Sequence, residues 1–268
     1  MDFTITIYKT LINSLQHHGF EFDTFREYAS SISQPQKSTA NNKLIILRHD
    51  VDDKPQNSLR FARIQASSGI VGTYYFRIVP KSYNQKIAKE IVELGHEVGY
   101  HYESMDTCKG NVDKAYDDFC KNLEKFNKLT EIKTISMHGS PMSPYDNRAI
   151  WEKYDYQKLG IIAEPYFDID FNKLYYLTET GRRWDGHLYN LRDKATMENP
   201  VTNSKFLKLR YHSTQNIIDA LDAGTFPKQA MLNFHPQRWS DKLLPWIKEF
   251  VWQNVKNQGK HILIKIRK

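Results

Sequence analysis

The feature of this sequence that most constrains its fold is a repeated alternation of short apolar segments with longer amphipathic ones. Leu44–Leu47 is a short apolar run, and Pro55–Ser68 follows with apolar residues at helical spacing and with Gly69 at its end. Val71–Ile78 is rich in β-branched and aromatic residues, which is typical of a strand. The order then repeats in a helical segment around 87–94, a strand over Glu97–Tyr102, a helical segment around 116–126 and a strand over Lys133–Met137. Strands that alternate with helices of this length predict parallel βαβ units and the α/β class.

The rest of the chain fits the same class with a less regular pattern. Residues 3–32 predict two short helices, so 1–42 is interpreted as a helical N-terminal extension. After about residue 154 the pattern weakens, and 185–205 is interpreted as an irregular loop. The later predicted elements are strands over Gly160–Glu164, Leu174–Thr178, Met231–Phe234 and Ile262–Ile266, and helices over Gln215–Leu221 and Leu243–Asn254. With 268 residues, no internal repeat and no linker-like segment, the chain is expected to form a single domain.

Cysteine content and hydropathy indicate the cellular compartment. Cys108 and Cys120 form no CxxC pair, which excludes a cysteine-based zinc site, and free thiols are favoured over a disulfide. No apolar run approaches the ~18 residues of a membrane-spanning helix. The N-terminal segment lacks the charged start and apolar centre of a secretory signal. These features predict a cytoplasmic protein without a transmembrane segment.

The charge balance is moderately basic. Lys and Arg total 38 against 31 Asp and Glu, for a net charge of +7. Basic surfaces are common, so nucleic-acid binding is a minor alternative and is not expected. An anionic substrate, such as a nucleotide sugar or a lipid-linked sugar, is compatible with the same charge.

An aspartate pair follows the first predicted core strand. Side chains alternate along a strand, so Asp50 and Asp52 in RHDVDD share a face. Two ionised carboxylates this close repel each other, and either a divalent cation relieves the repulsion or one carboxylate keeps a raised pKa and acts as a base. The structural alternative is that the aspartates cap the helix near Pro55, which suits Asp53 best.

Three histidines also follow predicted strands. His101 is accompanied by Glu103 and Asp106, His138 is followed by a glycine, and His235 is followed by a proline. Because active sites of parallel α/β folds form at the carboxyl ends of the strands, these side chains are expected to meet the aspartates. Imidazole and carboxylate groups suit zinc and other transition metals. The alternative for each histidine is a hydrogen bond to a loop carbonyl with no functional role.

The segment TETGRRWDG supplies a candidate substrate contact. Arg183 could hold a carboxylate or phosphate, and Trp184 could stack on a sugar ring. The alternative is a surface cluster of Arg183 with Asp185 over a buried tryptophan.

Other common chemistries lack their motifs. The sequence has no GxSxG, no P-loop and no GxGxxG. HEVGYH differs from the zinc motif HExxH because its second histidine lies one residue too far away.

The segments around Asp50, Gly72–Phe76 and Gly95–His101 resemble the motifs of the NodB-like polysaccharide deacetylases, carbohydrate esterase family 4 (CE4). In that family an aspartate pair after the first barrel strand precedes an apolar segment and then a Gly-His-Glu-x-Gly-x-His segment. The resemblance covers about residues 43–140 well and 230–266 loosely, and it is greatest with a divergent branch of surface-polysaccharide biosynthesis proteins. It implies a single (β/α) barrel of the distorted seven-stranded kind.

The resemblance also implies roles for the candidate residues. Asp50 would be the catalytic base and His235 the general acid, while Asp52 and His101 would bind a divalent metal, most simply zinc. The family has a second metal-binding histidine four residues after the first, where this chain has Met105. Glu103, Asp106 or His138 would have to replace it, and His138 is our choice.

Together these features predict a metal-dependent hydrolase that removes an acetyl group from an N- or O-acetylated sugar in polysaccharide or lipopolysaccharide assembly. One alternative is a catalytically degraded carbohydrate-binding protein on the same fold. Another is a metal-dependent hydrolase of a non-sugar amide, which the fold alone does not exclude.

Overall fold

The computed structural model describes residues 1–33, 42–140, 143–185, 206 and 209–266, with residues 256–266 as backbone only. Its helices are α1 (Ile5–His17), α2 (Phe25–Ile32), α3 (Pro55–Ser67), α4 (Gln85–Glu93), α5 (Ser104–Thr107), α6 (Val112–Asn127), α7 (Pro165–Asp168), α8 (Thr214–Asp222) and α9 (Leu243–Ile266). Its strands are β1 (Glu21–Asp23), β2 (Leu44–Val51), β3 (Thr73–Phe76), β4 (Glu97–Tyr102), β5 (Ile135–Met137), β6 (Tyr175–Thr178) and β7 (Gln229–Phe234). Short 3-10 helices lie at Asn147–Glu152, Tyr156–Leu159 and Pro236–Arg238.

The seven strands form one parallel sheet, in which six follow the order β5-β4-β3-β2-β7-β6 and β1 pairs with β2 off this path. β2 is central, because β7 pairs along one side of it while β1 and β3 share the other. β1 pairs with Leu44–Ile46 and β3 with Arg48–Val51. The parallel α/β class predicted from the alternating pattern is therefore confirmed.

The sheet is curled into a half-barrel. One apolar cluster contains Ile46 of the central strand, Tyr176 of the outer strand β6, and Ala163, which bridges to Thr134 next to β5. Residues from both ends of the sheet can meet in one cluster only if the sheet bends around it. No pairing closes β5 onto β6 within the described residues, so the distorted barrel implied by the sequence is confirmed in an open form.

Alternation along β2 decides which of its side chains enter the barrel. Leu44 and Ile46 belong to the inner cluster, whereas Ile45 and Leu47 belong to the larger cluster between the sheet and the helices. The inner face therefore continues, by the two-residue period of a strand, through Arg48 to the first aspartate of RHDVDD.

The N-terminal residues are part of this architecture. The two predicted helices are present, but β1 lies between them and joins the sheet. Phe25 and Tyr28 of α2 belong to the inner cluster and close the amino end of the barrel. Five side chains of α1 pack into the outer core, namely Ile5, Tyr8, Leu11, Ile12 and Leu15.

Three element predictions need correction. The predicted strand Gly160–Glu164 is absent, because only Ala163 pairs there, in an isolated bridge to Thr134. β2 runs to Val51 rather than ending at Leu47, because its polar residues face the barrel interior instead of leaving the sheet. The predicted last strand, Ile262–Ile266, is wrong, since α9 continues through it. Its residues Ile264, Lys265 and Ile266 alternate with a strand-like period. However, the one glycine before them, Gly259, lowers the stability of a helix by only about 1 kcal/mol, so the helix continues through this segment.

Both cysteines are free thiols, as expected. No helix within the described ranges has the combination of length and apolarity needed to cross a membrane. The predicted loop 185–205 lies outside the described residues except for Asp185.

Candidate metal centre

The carboxyl ends of β2, β4, β5 and β7 bring the candidate side chains together around Asp52. Its Oδ1 atom lies 3.7 Å from Nε2 of His101 and 3.6 Å from Nε2 of His138. Its Oδ2 atom lies 4.0 Å from Nε2 of His235. Asp50 is adjacent, with Oδ2 3.9 Å from Nε2 of His101. The five residues singled out by their positions after strands therefore share one rim of the barrel.

His101 and His138 each have an oxygen atom near Nδ1 and present Nε2 to Asp52. Nδ1 of His101 lies 2.9 Å from the carbonyl oxygen of Ser136 and must donate to it, so in the neutral ring Nε2 carries the lone pair. Burial lowers the pKa of His101 to about 4, so the ring is neutral near pH 7. Nδ1 of His138 lies 3.1 Å from Oε2 of Glu103, which favours the same tautomer.

Three other carboxylates of the rim pair with arginines. Asp50 pairs with Arg48, Glu103 with Arg77 and Glu179 with Arg238, at N···O distances of 2.9, 2.6 and 3.0 Å. Asp52 is different, because within the described part of the chain it has no Lys or Arg nitrogen within 4.0 Å. Its neighbours are three histidines and Gln237, whose Nε2 donates to Oδ2 at 3.4 Å. The Oδ1 atom of Asp52 is buried and accepts no hydrogen bond from any described residue, so the charge of this carboxylate has no permanent positive charge beside it.

A divalent cation fits this arrangement. Two donors on one tetrahedral zinc, each about 2.0–2.2 Å from the ion, lie roughly 3.3–3.6 Å apart. The distances from Oδ1 of Asp52 to the two imidazole nitrogens, 3.7 and 3.6 Å, are close to that separation. One carboxylate and two imidazoles are also donors that zinc prefers. The residues that could hold the ion are Asp52, His101 and His138.

A second group of possible ligands shares one of these residues. Atoms of Glu103, Asp106 and His138 lie within 4.8 Å of one another. However, Arg77 donates to both oxygens of Glu103, at 3.1 and 2.6 Å. Oδ2 of Asp106 accepts from Asn147 at 3.1 Å. Glu103 is thus fully paired, whereas Oδ1 of Asp106 is buried without a hydrogen bond from the described residues. His138 belongs to both groups, and we choose it as the third ligand beside Asp52 because Nε2 of His101 also lies within 3.7 Å of Oδ1 of Asp52, with Glu103 orienting the His138 ring.

Asp50 is held as a carboxylate at the edge of this centre. Arg48 donates to both of its oxygens, at 2.9 and 3.0 Å, and Asn233 donates to Oδ2 at 2.9 Å. Burial alone would raise the pKa of Asp50, but the Arg48 guanidinium and the nearby imidazoles hold it well below its ordinary value. Asp50 is therefore an ionised hydrogen-bond acceptor of reduced basicity.

His235 lies on the opposite side of Asp52 above a buried glutamate. Glu179 accepts from Nη1 of Arg238 at 3.0 Å and from Nε1 of Trp239 at 3.3 Å, and its Oε2 lies 3.7 Å from Nδ1 of His235. Burial lowers the pKa of His235 to about 3, so this ring is also neutral near pH 7.

The proposed role of Trp184 in stacking on a sugar needs correction. Its side chain is 3% exposed, its Nε1 donates to Thr214 at 3.0 Å, and its ring packs edge-on against Phe234. Arg183 pairs with Asp185 at 2.9 Å. The alternative arrangement, an Arg–Asp cluster over a buried tryptophan, is the one present, because a large indole gains most from the core when its N–H finds a partner.

Sequence reasoning missed the residues that balance the centre. Arg48 lies inside RHDVDD and Glu179 inside TETGRRWDG, but neither motif shows which charged side chain each of them pairs with. Arg77 and Asn233 stand in apolar strand segments, where a polar residue is the only available signal of an inward-facing role.

Comparisons with known proteins give distant structural likenesses. No family model matches the sequence, and no curated protein matches it. A CE4 family pseudoenzyme from Bacillus anthracis matches with a TM-score of 0.44 and 14% identity, over 82% of this chain and 62% of that one. A mutant of it with restored enzymatic activity matches with a TM-score of 0.43 and 13% identity, over 82% and 64% of the two chains. The Xyl-CE4 domain of a multidomain xylanase from the hindgut metagenome of Trinervitermes trinervoides matches with a TM-score of 0.41 and 14% identity, over 82% and 85%. The chain thus spans less than two thirds of the length of the pseudoenzyme.

Proposed function

We propose that this protein is a divalent-metal-dependent hydrolase that removes an acetyl group from an N- or O-acetylated sugar, with zinc as the preferred cation. The observation that carries the proposal is the buried Oδ1 atom of Asp52, which faces two imidazoles and accepts no hydrogen bond from the described residues. A buried carboxylate oxygen without a donor is costly, so its position between two histidines favours a bound cation.

The chemistry divides between the cation and the residues beside it. When bound, a divalent cation supplies a Lewis acid that polarises an acyl carbonyl and lowers the pKa of water. Asp50 is ionised and adjacent to the proposed ligands, so it is placed to accept a proton from an attacking water. Arg48 and Asn233 fix the orientation of its carboxylate.

His235 is placed to handle the second proton transfer. Its Nε2 atom lies 4.0 Å from Oδ2 of Asp52, while the Glu179 carboxylate lies near its Nδ1 atom. Because the ring is neutral near pH 7, the proton that His235 passes to the leaving amine or alcohol is the one that Asp50 accepts from the attacking water, relayed to His235 before the leaving group departs.

The acetylated-sugar substrate is inferred from the motif resemblance around residues 43–140. A nucleotide sugar or a lipid-linked sugar is the preferred form. Arg183, whose side chain is 34% exposed, stays a proposed contact for a substrate carboxylate or phosphate.

The test follows acetate release from N- and O-acetylated sugars by the purified protein, after chelation and after zinc is added back. Chelation is expected to abolish release and zinc to restore it. Asp50→Asn is expected to reduce release by at least about 10²-fold while the bound zinc is retained. Asp52→Asn is expected to lose both zinc and activity.

Two results would contradict the proposal. Undiminished acetate release from fully chelated protein would exclude the metal-dependent mechanism. Faster hydrolysis of simple acetamides than of any acetylated sugar would identify a non-sugar amide hydrolase.

A second candidate function is binding of a carbohydrate at the same centre without hydrolysis. The observation that favours it is the pairing of Arg48 with both oxygens of Asp50, which weakens that carboxylate as a base. This candidate predicts that zinc and sugar bind to the wild-type protein, measured by calorimetry, while no acetate appears.

A further inference from the structure

The last helix exposes an apolar stripe to solvent. Leu243, Ile247, Val251 and Val255 recur every four residues along α9 and are 60, 42, 55 and 58% exposed. Leu244, beside them, is 80% exposed. Side chains at this spacing form one continuous face of a helix.

The opposite side of α9 is fixed to the barrel. Nε1 of Trp246 donates to the carbonyl of Asp2 at 2.7 Å, and the guanidinium of Arg182 lies 4.5 Å from the centre of the Trp246 ring. Gln253, two turns further on, is only 5% exposed. The helix is therefore held in place by one face, and the apolar stripe is directed away from the body of the protein.

The helix and the residues that flank it carry almost all of the net charge of the chain, and the helix itself has four Lys residues against Glu249. Residues 242–268 contain seven Lys and Arg residues and one acidic residue, Glu249, for a net charge of +6. The whole chain has a net charge of +7, so residues 1–241 contribute only +1. An apolar stripe and a concentrated positive charge on one helix are the two features that bind a helix flat to an anionic bilayer.

The positive charge also argues against a second copy of this chain as the partner that covers the apolar stripe. Two such helices packed along their stripes would bring together two segments of net charge +6, which repel each other. An anionic lipid surface is complementary to both the charge and the apolar side chains.

We propose that α9 docks on the surface of an anionic lipid bilayer, with its apolar stripe among the acyl chains and its basic residues at the headgroups. At 24 residues the helix is about 36 Å long, and it lies in the plane of the interface without crossing it. This surface is independent of the proposed hydrolase activity.

The test is co-sedimentation of the full chain with vesicles of pure phosphatidylcholine and with vesicles of equal parts phosphatidylcholine and phosphatidylserine. The wild-type protein is expected to bind the anionic vesicles and to bind the neutral ones at least about tenfold more weakly. The triple variant Ile247→Ser, Val251→Ser, Val255→Ser is expected to lose at least about tenfold in partitioning to the anionic vesicles.

Matched controls separate docking from loss of folding. Ile32→Ser and Phe167→Ser remove apolar residues that are 50 and 49% exposed outside α9, and they are expected to bind vesicles as the wild type does. The triple variant changes only exposed positions, so its thermal unfolding should match that of the wild type.

Three results would overturn the proposal. One is the absence of binding to anionic vesicles. Another is unchanged binding by the triple variant, which would leave the apolar stripe without a role. The third is a wild-type dimer in sedimentation velocity that the triple variant dissociates, in the absence of vesicle binding, which would identify a second copy as the partner.

Discussion

Each end of the barrel interior contains a carboxylate with a buried oxygen atom, and the protein treats the two in opposite ways. At the amino end, Glu97 accepts hydrogen bonds from Thr73 at 2.7 Å, from Thr134 at 2.6 Å and from the backbone N–H of Arg26 at 3.0 Å. At the carboxyl end, Oδ1 of Asp52 accepts no hydrogen bond from the described residues and faces two imidazoles.

This difference separates a structural carboxylate from one that we propose binds a cation. Glu97 joins the start of α2 to β3 and to Thr134, so its donors belong to the fold and persist without any ligand. Asp52 accepts from Gln237 at Oδ2, but its Oδ1 faces the Nε2 atoms of His101 and His138 and accepts no hydrogen bond from the described residues. A buried acceptor without a donor is destabilising unless a ligand completes it.

The largest expected effect is the loss of stability on removing the satisfied carboxylate. Glu97→Ala leaves two threonine hydroxyls and a backbone N–H without their acceptor, so we expect the free energy of unfolding to fall by about 3 kcal/mol. Urea denaturation of the wild type and the variant measures this difference in the free energy of unfolding. The matched variant Asp52→Asn should change the stability of metal-free protein by less than about 1 kcal/mol, and similar losses for both variants would remove the distinction between the two ends.

The next effect is on metal affinity. Asp52→Asn removes the anionic ligand, so we expect the dissociation constant for zinc to rise by at least about 100-fold, while Glu97→Gln leaves it unchanged. Competition with a chromophoric chelator measures both. An Asp52→Asn protein that binds zinc as tightly as the wild type would place the ion elsewhere.

A smaller loss of affinity is expected from the residue behind His138. Glu103→Gln replaces the carboxylate 3.1 Å from Nδ1 of that ring, so we expect zinc affinity to fall by about tenfold. The same competition assay applies. If the variant lost as much affinity as Asp52→Asn, Glu103 would be a direct ligand.

The two ends should also differ in their response to pH. Burial raises the pKa of Glu97 above its ordinary value of 4.5, so the folded protein holds that proton more tightly than the unfolded chain. The stability that Glu97 contributes is therefore present below pH 4.5 and is lost as the pH rises through its folded pKa. Unfolding measured between about pH 5 and pH 8 should show a shallower decline for Glu97→Gln than for the wild type. Equal slopes would show that Glu97 titrates normally.

The smallest expected effect sharpens the choice of ligands. Asp106→Asn should change zinc affinity by less than about threefold, because Asp106 accepts from Asn147 and is not assigned as a ligand. His101→Ala, in contrast, should weaken binding by at least about 100-fold. The reverse ranking would favour the group formed by Glu103, Asp106 and His138.

The sequence predicted the rim of the barrel better than its surroundings. Asp50, Asp52, His101, His138 and His235 were identified because each follows or ends a strand, and parallel strands bring those positions together whatever the loops do. Their convergence therefore depends only on local pattern and on the class of fold.

The remaining features depend on contacts between distant segments. Arg77 reaches Glu103, and Arg238 reaches Glu179, across 26 and 59 residues of sequence, which no local spacing encodes. Trp184 was assigned to the substrate side because its neighbours are polar, although its burial is decided by Thr214 and Phe234. The prediction of a strand over Ile262–Ile266 is wrong for a related reason. A short alternation of Ile and Lys residues has the same local pattern in a strand and at the end of a long helix.

The most direct test of the difference between the two ends is anomalous scattering at the zinc edge from crystals of the zinc-loaded protein. The account predicts one peak about 2.0–2.2 Å from Oδ1 of Asp52 and from Nε2 of His101 and His138, and none near Glu97. A peak bound by Glu103 and Asp106 with Asp52 uncoordinated, or no peak at the rim at all, would contradict it.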